Sequence, residues 1–261
     1  MNYYIDTEFL EGTQKECFPI SLFRKETNPT IDLISIGIVS EDGREFYAVS
    51  KDFNLKEAWN RFDWKEHKST HKEDEDKKLV QKVYWIRENV LKPIWRELVK
   101  EHNQKVSRLG LTISHKDEIK FNYKDFKSLL NSYGKTNKQI AKEIKEFCYR
   151  GCEWNYPNKE NEIEFYAYYA DYDWVAFCWL FGKMMNLPNG FPKYCNDLKQ
   201  MLDERVEKMS YPLIGAVSNN FKDKLKAVKK FNDYPKQENE HNAIDDARWN
   251  KKLHEFLLKI I

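Results

Sequence analysis

The run Ile31-Asp-Leu-Ile-Ser-Ile-Gly-Ile-Val39 narrows the available folds more than any other stretch of this chain. Its β-branched residues are stiff at χ1 and suit a pleated surface better than a helix. With so few polar residues to meet water, the run predicts a central strand covered on both faces. Glu41-Asp-Gly-Arg44 follows with an Asp-Gly turn, and residues 45–50 return as a second strand. Residues 2–6 read as a short strand ahead of both, so the chain opens as an antiparallel meander. A further apolar strand is predicted at 162–170, ending in Asp171-Tyr-Asp173 and entering a buried helix at 174–185.

Helical spacing of apolar residues appears at 83–100 (Trp85, Val90, Leu91, Ile94, Trp95, Leu98) and at 137–147 (Ile140, Ala141, Ile144, Phe147). Residues 191–198 lead into another helix, and a last helix runs from near Asn242 to about Leu258. Three stretches read as insertions. Residues 61–82 are densely charged and suggest a solvated helix or mobile segment. Residues 104–135 look irregular and lysine-rich, and residues 209–236 loop-like. Neither a repeat nor a linker interrupts the chain. The order β-β-β-α-β-α-α predicts a single α/β domain over 1–261 with a mixed sheet.

Composition removes several classes of function. Lys and Arg number 44 against 42 Asp and Glu, so no global basic field marks a nucleic-acid binder. The cluster Lys222, Lys224, Lys226, Lys229, Lys230 reads first as a solvated face, with guidance of a nucleic-acid backbone as the alternative. At 41% hydrophobic and 33% charged the chain is too apolar to be disordered. No apolar run approaches the roughly 20 residues of a membrane span. The N-terminus lacks the basic region and apolar stretch of a signal peptide. Five cysteines without close metal-type pairing fit a reducing compartment. A soluble cytoplasmic protein is expected.

Acidic residues collect at three points. Asp6-Thr-Glu8 places two carboxylates on one face of a strand, where they repel unless a cation lies between them. Asp171-Tyr-Asp173 lies at the end of a strand before a helix, where ligands gather in α/β sheets. Helix capping by Asp171 and a dipole contribution from Asp173 are the alternatives. In His241-Asn-Ala-Ile-Asp-Asp246, residues five apart do not share a helix face. His241 and Asp246 converge if Asn242 caps the helix and His241 sits on the loop before it. Asp245 then favours the helix start. A histidine opposite an acidic metal site is a candidate general base.

In this order and on these elements, Asp6/Glu8, Tyr172-Asp173 and His241…Asp246 resemble the signature of the DEDD 3′-5′ exonucleases of the histidine type. Residues 4–11, 33–50 and 172–182 narrow the resemblance to the RNase T-like group, and most to exoribonuclease AS. Trp85-Ile-Arg-Glu-Asn-Val-Leu and Asp197-Leu-Lys-Gln extend it to about two thirds of the chain. The three insertions look longer than in compact members, and Trp174 stands where a histidine is expected.

The resemblance implies an RNase H-like mixed five-stranded sheet flanked by helices, with the acids at one end of its central strands. It also implies hydrolysis of single-stranded RNA or an RNA 3′ overhang to nucleoside 5′-monophosphates, with adenylate-rich tails as a candidate substrate, and a homodimer. All-oxygen donors suit Mg²⁺ or Mn²⁺, two per site in a two-metal mechanism. Asp6, Glu8 and Asp246 would hold one ion, and Asp6 and Asp173 the second. His241 would accept the proton of the attacking water. Phe9 and Trp174 are candidate stacking surfaces for the terminal base, with core packing as the alternative for each. Rival expectations are a DNA exonuclease acting on single strands or 3′ overhangs, and a noncatalytic nucleic-acid binding protein. The latter is disfavoured because none of the four acids is missing.

Overall fold

The structure, a computed structural model, describes residues 1–14, 27–68, 78–110, 119–150, 163–209 and 220–260. In chain order the strands are β1 (Asn2–Gly12), β2 (Thr30–Ser40), β3 (Glu45–Val49), β4 (Asp63–Lys68), β5 (Lys78–Val83), β6 (Glu164–Ala167) and β7 (Asn196–Asp197). The helices are α1 (Leu55–Asn60), α2 (Lys92–Arg108), α3 (Tyr123–Tyr133), α4 (Asn137–Tyr149), α5 (Ala170–Leu180), α6 (Leu198–Lys208), α7 (Phe221–Val228) and α8 (Ala243–Lys259). They fall into two compact units, one of residues 1–9, 33–50 and 135–261, the other of residues 10–32 and 51–134.

The first unit is built on a five-stranded sheet in the order β3-β2-β1-β6-β7. β2 and β3 pair antiparallel, whereas β1–β6 and β6–β7 pair parallel. This mixed sheet with its helices is the expected α/β architecture and is consistent with an RNase H-like fold. Period-two alternation along β1 and β6 sorts the core into two layers. Tyr3 and Phe165 meet Phe147 of α4 and Trp174 and Phe177 of α5. Tyr4 and Tyr166 turn instead to His254 of α8. They join Leu198, Leu202, Val206, Trp249, Leu253 and Phe256 in the other buried cluster.

Two details fix the elements that carry the acids. Gly37 of β2 lies so close to the start of α8 that an added Cβ would meet the Ala243 carbonyl oxygen at 2.2 Å. Only a residue without a side chain allows that approach. Asp197, on the edge strand β7, accepts the Ala170 N–H at the start of α5 (3.0 Å) and the Lys199 and Gln200 N–H groups at the start of α6 (2.6 and 3.1 Å). One carboxylate therefore satisfies donors at two helix starts that would otherwise be orphaned.

Several expectations are corrected here. β1 continues to Gly12, so Asp6 and Glu8 lie within a strand and not at its end. They do lie beyond its pairing with β6, whose register runs from Asn2 to Tyr4. α5 begins at Ala170, four residues early, behind Tyr169 in a left-handed conformation (φ 58°). Asp171 is consequently inside the first turn and does not cap it. In the region expected to be loop-like, residues 221–228 form α7, capped by the Asn220 side chain. Of its basic cluster, Lys224 is committed to the backbone carbonyls of Glu207 and Met209.

In the second unit, the described part of residues 61–82 is an antiparallel hairpin, β4 paired with β5, and not a helix. The helix expected at 83–100 opens with a π-helical turn at Arg87–Leu91 and continues as α2 to Arg108. Pro93, which has no N–H to donate, lies two residues beyond that turn. Val90, Leu91, Ile94 and Leu98 of its apolar stripe are buried, whereas Trp85 is exposed. Residues 123–133, expected to be irregular, form α3 with Asn122 as its cap. Trp59, Phe121 and Phe126 pack together with Trp95. The expectation for residues 69–77, 111–118 and 210–219 lies outside the described residues, as does that for Cys17 and Cys152. Among the described residues no helix is long and apolar enough to cross a membrane.

Candidate active site

Asp6, Glu8 and Asp246 bring carboxylate oxygens within 4.8 Å of one another. β1 contributes the first two by its alternation, and α8 contributes the third from its first turn. One turn further along α8, Asn250 donates to the Ile5 carbonyl (2.8 Å) and so ties that helix to β1 one residue before Asp6. Like charges at such a separation repel by about 3 kcal/mol per pair at an effective dielectric constant near 20. Three ionised carboxylates would then cost an amount comparable with the whole stability of a domain. Without a cation, at least one of them keeps its proton near neutral pH.

The protonation equilibria carry that strain. Burial, followed by the charges of Asp173, Glu8 and Asp246, raises the Asp6 carboxyl well above its ordinary value. Burial and the nearby Asp246 and Asp173 push Glu8 up to about 8. Burial also raises Asp246, against hydrogen bonds that favour its ionised form. These groups have the oxygen chemistry of a Mg²⁺ or Mn²⁺ site, and bound divalent charge would reverse the shifts.

Asp173 adjoins this trio without belonging to it. It is buried in the first turn of α5, and both the Thr7 N–H and the Thr7 hydroxyl donate to its Oδ1, at 2.9 and 2.5 Å. Both bonds end on one oxygen, leaving Oδ2 without a protein donor among the described residues. Burial lifts its carboxyl to about 7, with the Thr7 bonds pulling the other way. Thr7 thus couples the strand bearing Asp6 and Glu8 to the helix bearing Asp173.

Asn242 caps α8, accepting from the Ile244 N–H, and His241 stands on the loop before it. His241 adopts a left-handed backbone (φ 67°), a region uncommon for residues other than glycine but one in which Asn, Asp and His are enriched. Its N–H donates to Asp246 Oδ2 at 2.9 Å, and the Gln237 amide donates to Oδ1 at 2.7 Å. Asp246 therefore fastens the histidine loop to the helix. Asp245 points to a different partner, pairing with Arg248, which also grips Glu45 of β3.

Of the two candidate stacking residues, Phe9 is half-buried beside Glu8. Trp174 is placed in the interior. It is 9% exposed, its ring stacks on Phe177 at 5.0 Å, and its N–H donates to the Lys193 carbonyl. That removes it from a stacking role at the surface. Tyr172 stands instead against Phe9, edge to face at 5.6 Å, and is 50% exposed. Sequence reasoning used Tyr172 only as part of the motif around Asp173, and passed over Thr7 and Gln237. The spacing of Trp174, Phe177 and Phe181 at i, i+3 and i+7 was the signal that Trp174 belongs to the core stripe.

No protein-family model matches the chain. Two curated proteins of Mycobacterium tuberculosis, from strains CDC 1551 and H37Rv and both named 3′-5′ exoribonuclease, are similar to it. Each is 26% identical over 205 residues, spanning 78% of this chain and 76% of the relative. Over three quarters of its length, the chain is thus a distant homologue of proteins named for trimming RNA from the 3′ end.

Proposed function

We propose that the protein is a divalent-cation-dependent 3′-5′ exoribonuclease of the DEDD histidine type, releasing nucleoside 5′-monophosphates from single-stranded RNA. The observation that carries this reading is the meeting of Asp6, Glu8 and Asp246 oxygens within 4.8 Å, with Asp173 alongside. Asp6, Glu8 and Asp246 are suited to hold one Mg²⁺ or Mn²⁺ ion, and Asp6 and Asp173 a second. Such an ion pair, when bound, supplies charge neutralisation and Lewis acidity to a phosphodiester and the water that attacks it. His241 accepts the proton of that water as general base. Phe9 and Tyr172 form the aromatic surface for the 3′-terminal base. The names of the two relatives favour RNA over DNA as substrate.

The same reading extends to adenylate-rich 3′ ends, to a homodimer and to the cytoplasm. The buried thiol of Cys178, outside any disulfide, suits a reducing compartment. Exposed Trp179, Met184, Met185 and Tyr194 offer an apolar surface for a second copy.

The test is digestion of matched 5′-labelled and 3′-labelled RNA, with Mg²⁺, with Mn²⁺ and with EDTA. The expected result is immediate release of the 3′ label as mononucleotide, a progressive 5′-labelled ladder, and silence in EDTA. Asp6→Asn abolishes both patterns. Undiminished cleavage in EDTA or by Asp6→Asn refutes the reading. Adenylate and mixed ladders run side by side test the base preference, and matched DNA tests the sugar.

A further inference from the structure

The β4–β5 hairpin of the second unit carries rings and cations that the acid cluster does not use. In its antiparallel register Trp64 lies opposite Lys82, and Glu66 opposite Val80. Trp64, Glu66, Val80 and Lys82 therefore share one face. Phe62 and Tyr84, just beyond the paired residues, extend that face, their ring centroids 5.8 Å apart. Phe62 meets Trp64 edge to face at 5.6 Å. Cations accompany the rings. The Lys82 ammonium lies 4.2 Å from the Phe62 centroid and 5.2 Å from that of Trp64, and the Arg87 guanidinium lies 3.8 Å over Tyr84.

This face is open. Trp64 is 61% exposed, Val80 55% and Phe62 37%. A contiguous apolar face on a hairpin is unusual without a ligand or partner. Its chemistry indicates which. Lys82 and Arg87 lie against its rings, with Glu66 on the same face and Glu88 paired to Arg87. Flat rings interleaved with cations are the recognition chemistry of single-stranded nucleic acid.

We propose that this hairpin face is a binding platform for single-stranded RNA, with bases stacking on Trp64 and Phe62 and phosphates meeting Lys82 and Arg87. The choice of RNA as ligand rests on the exoribonuclease reading; the platform itself rests on the hairpin.

The test uses the full chain carrying Asp6→Asn, so that RNA is not consumed, and fluorescence anisotropy of a 5′-labelled single-stranded RNA. Adding Trp64→Ala is expected to weaken binding about five- to tenfold. Lys82→Gln is expected to flatten the salt dependence by about 0.7 in log Kd per log salt. Trp64 is exposed, so its removal leaves the core intact, and Lys82→Gln provides a second, milder perturbation. In the cleaving protein, Trp64→Ala raises KM and leaves kcat unchanged. Unchanged RNA affinity in both variants overturns the proposal. So does loss of self-association in sedimentation by Trp64→Ala with RNA affinity unchanged, which would assign the face to a second copy. If the wild type releases no mononucleotide yet Trp64→Ala still loses RNA, the exonuclease reading fails and the platform stands.

Discussion

In the absence of a divalent cation, the stability of this protein is expected to fall as pH rises, and Glu8→Gln isolates the cause. In the folded chain Glu8 sits up at about 8 and Asp173 at about 7, against ordinary values of 4.5 and 3.8. A carboxyl whose folded pKa is raised keeps its proton in the native state after the unfolded chain has released it. Stability is then full below the unfolded value and is lost as pH climbs through the folded one. Each proton so retained gives a slope of about 1.4 kcal/mol per pH unit. Between about pH 5 and pH 7, the Glu8 proton alone corresponds to a loss of about 2–3 kcal/mol. His254 acts in the opposite sense. Its buried imidazole is lowered from the ordinary value, so its contribution is gained as pH rises through that range. Because His254 is present in both proteins, it cancels in the comparison. The assay is denaturant unfolding in EDTA, followed by tryptophan fluorescence, for wild type and Glu8→Gln. Relative to wild type, the variant should gain about 2–3 kcal/mol between about pH 5 and pH 7, and excess Mn²⁺ should restore the wild type at the upper pH. A difference constant to about 0.5 kcal/mol over that range would refute the crowding of carboxylates in the folded state.

Three further outcomes are expected. His241→Ala should lower kcat by about 10²- to 10⁴-fold while Mn²⁺ binding by calorimetry is retained; a wild-type kcat would remove the general-base role. Thr7→Val deletes the hydroxyl bond to Asp173 and keeps the backbone one, so unfolding experiments near neutral pH should show a loss of about 2 kcal/mol. Unaltered stability and cleavage would show that the hydroxyl does not hold that carboxylate. Gly37→Ala drives a methyl to 2.2 Å from the Ala243 carbonyl oxygen and should cost about 3 kcal/mol or more by thermal or denaturant unfolding. A variant as stable as wild type would contradict the close contact of β2 with α8.

The parts of this structure legible in the sequence are those encoded locally. The β-branched run at 31–39, the Asp-Gly turn and the Asn242 cap each depend on neighbours a few residues away. Alternation along a strand put Asp6 and Glu8 on one face, and the helix cap let His241 and Asp246 converge; that Asp246 would join the pair was implied by the resemblance to the DEDD exonucleases. What escaped depends on where an element begins or on distant contacts. Starting α5 at residue 174 and not at Ala170 hid which of Tyr172 and Trp174 would point outward. The hairpin at 61–83 was concealed because charged residues interrupt its alternation. Thr7 reaches Asp173 across 166 positions and Asn250 reaches Ile5 across 245, and no local pattern announces either bond.

Asp197 lies on a two-residue strand at the margin of the sheet, yet it accepts N–H groups from the starts of both α5 and α6. Asp173 therefore takes its alignment from a residue outside the proposed cation-holding set. Exchanging Asp197 for a side chain without an acceptor would loosen two helices together, and such damage would masquerade as a defect in chemistry. Screens for inactive variants should recover position 197 alongside the proposed cation-holding residues, with disturbed helix ends as the trait that tells them apart.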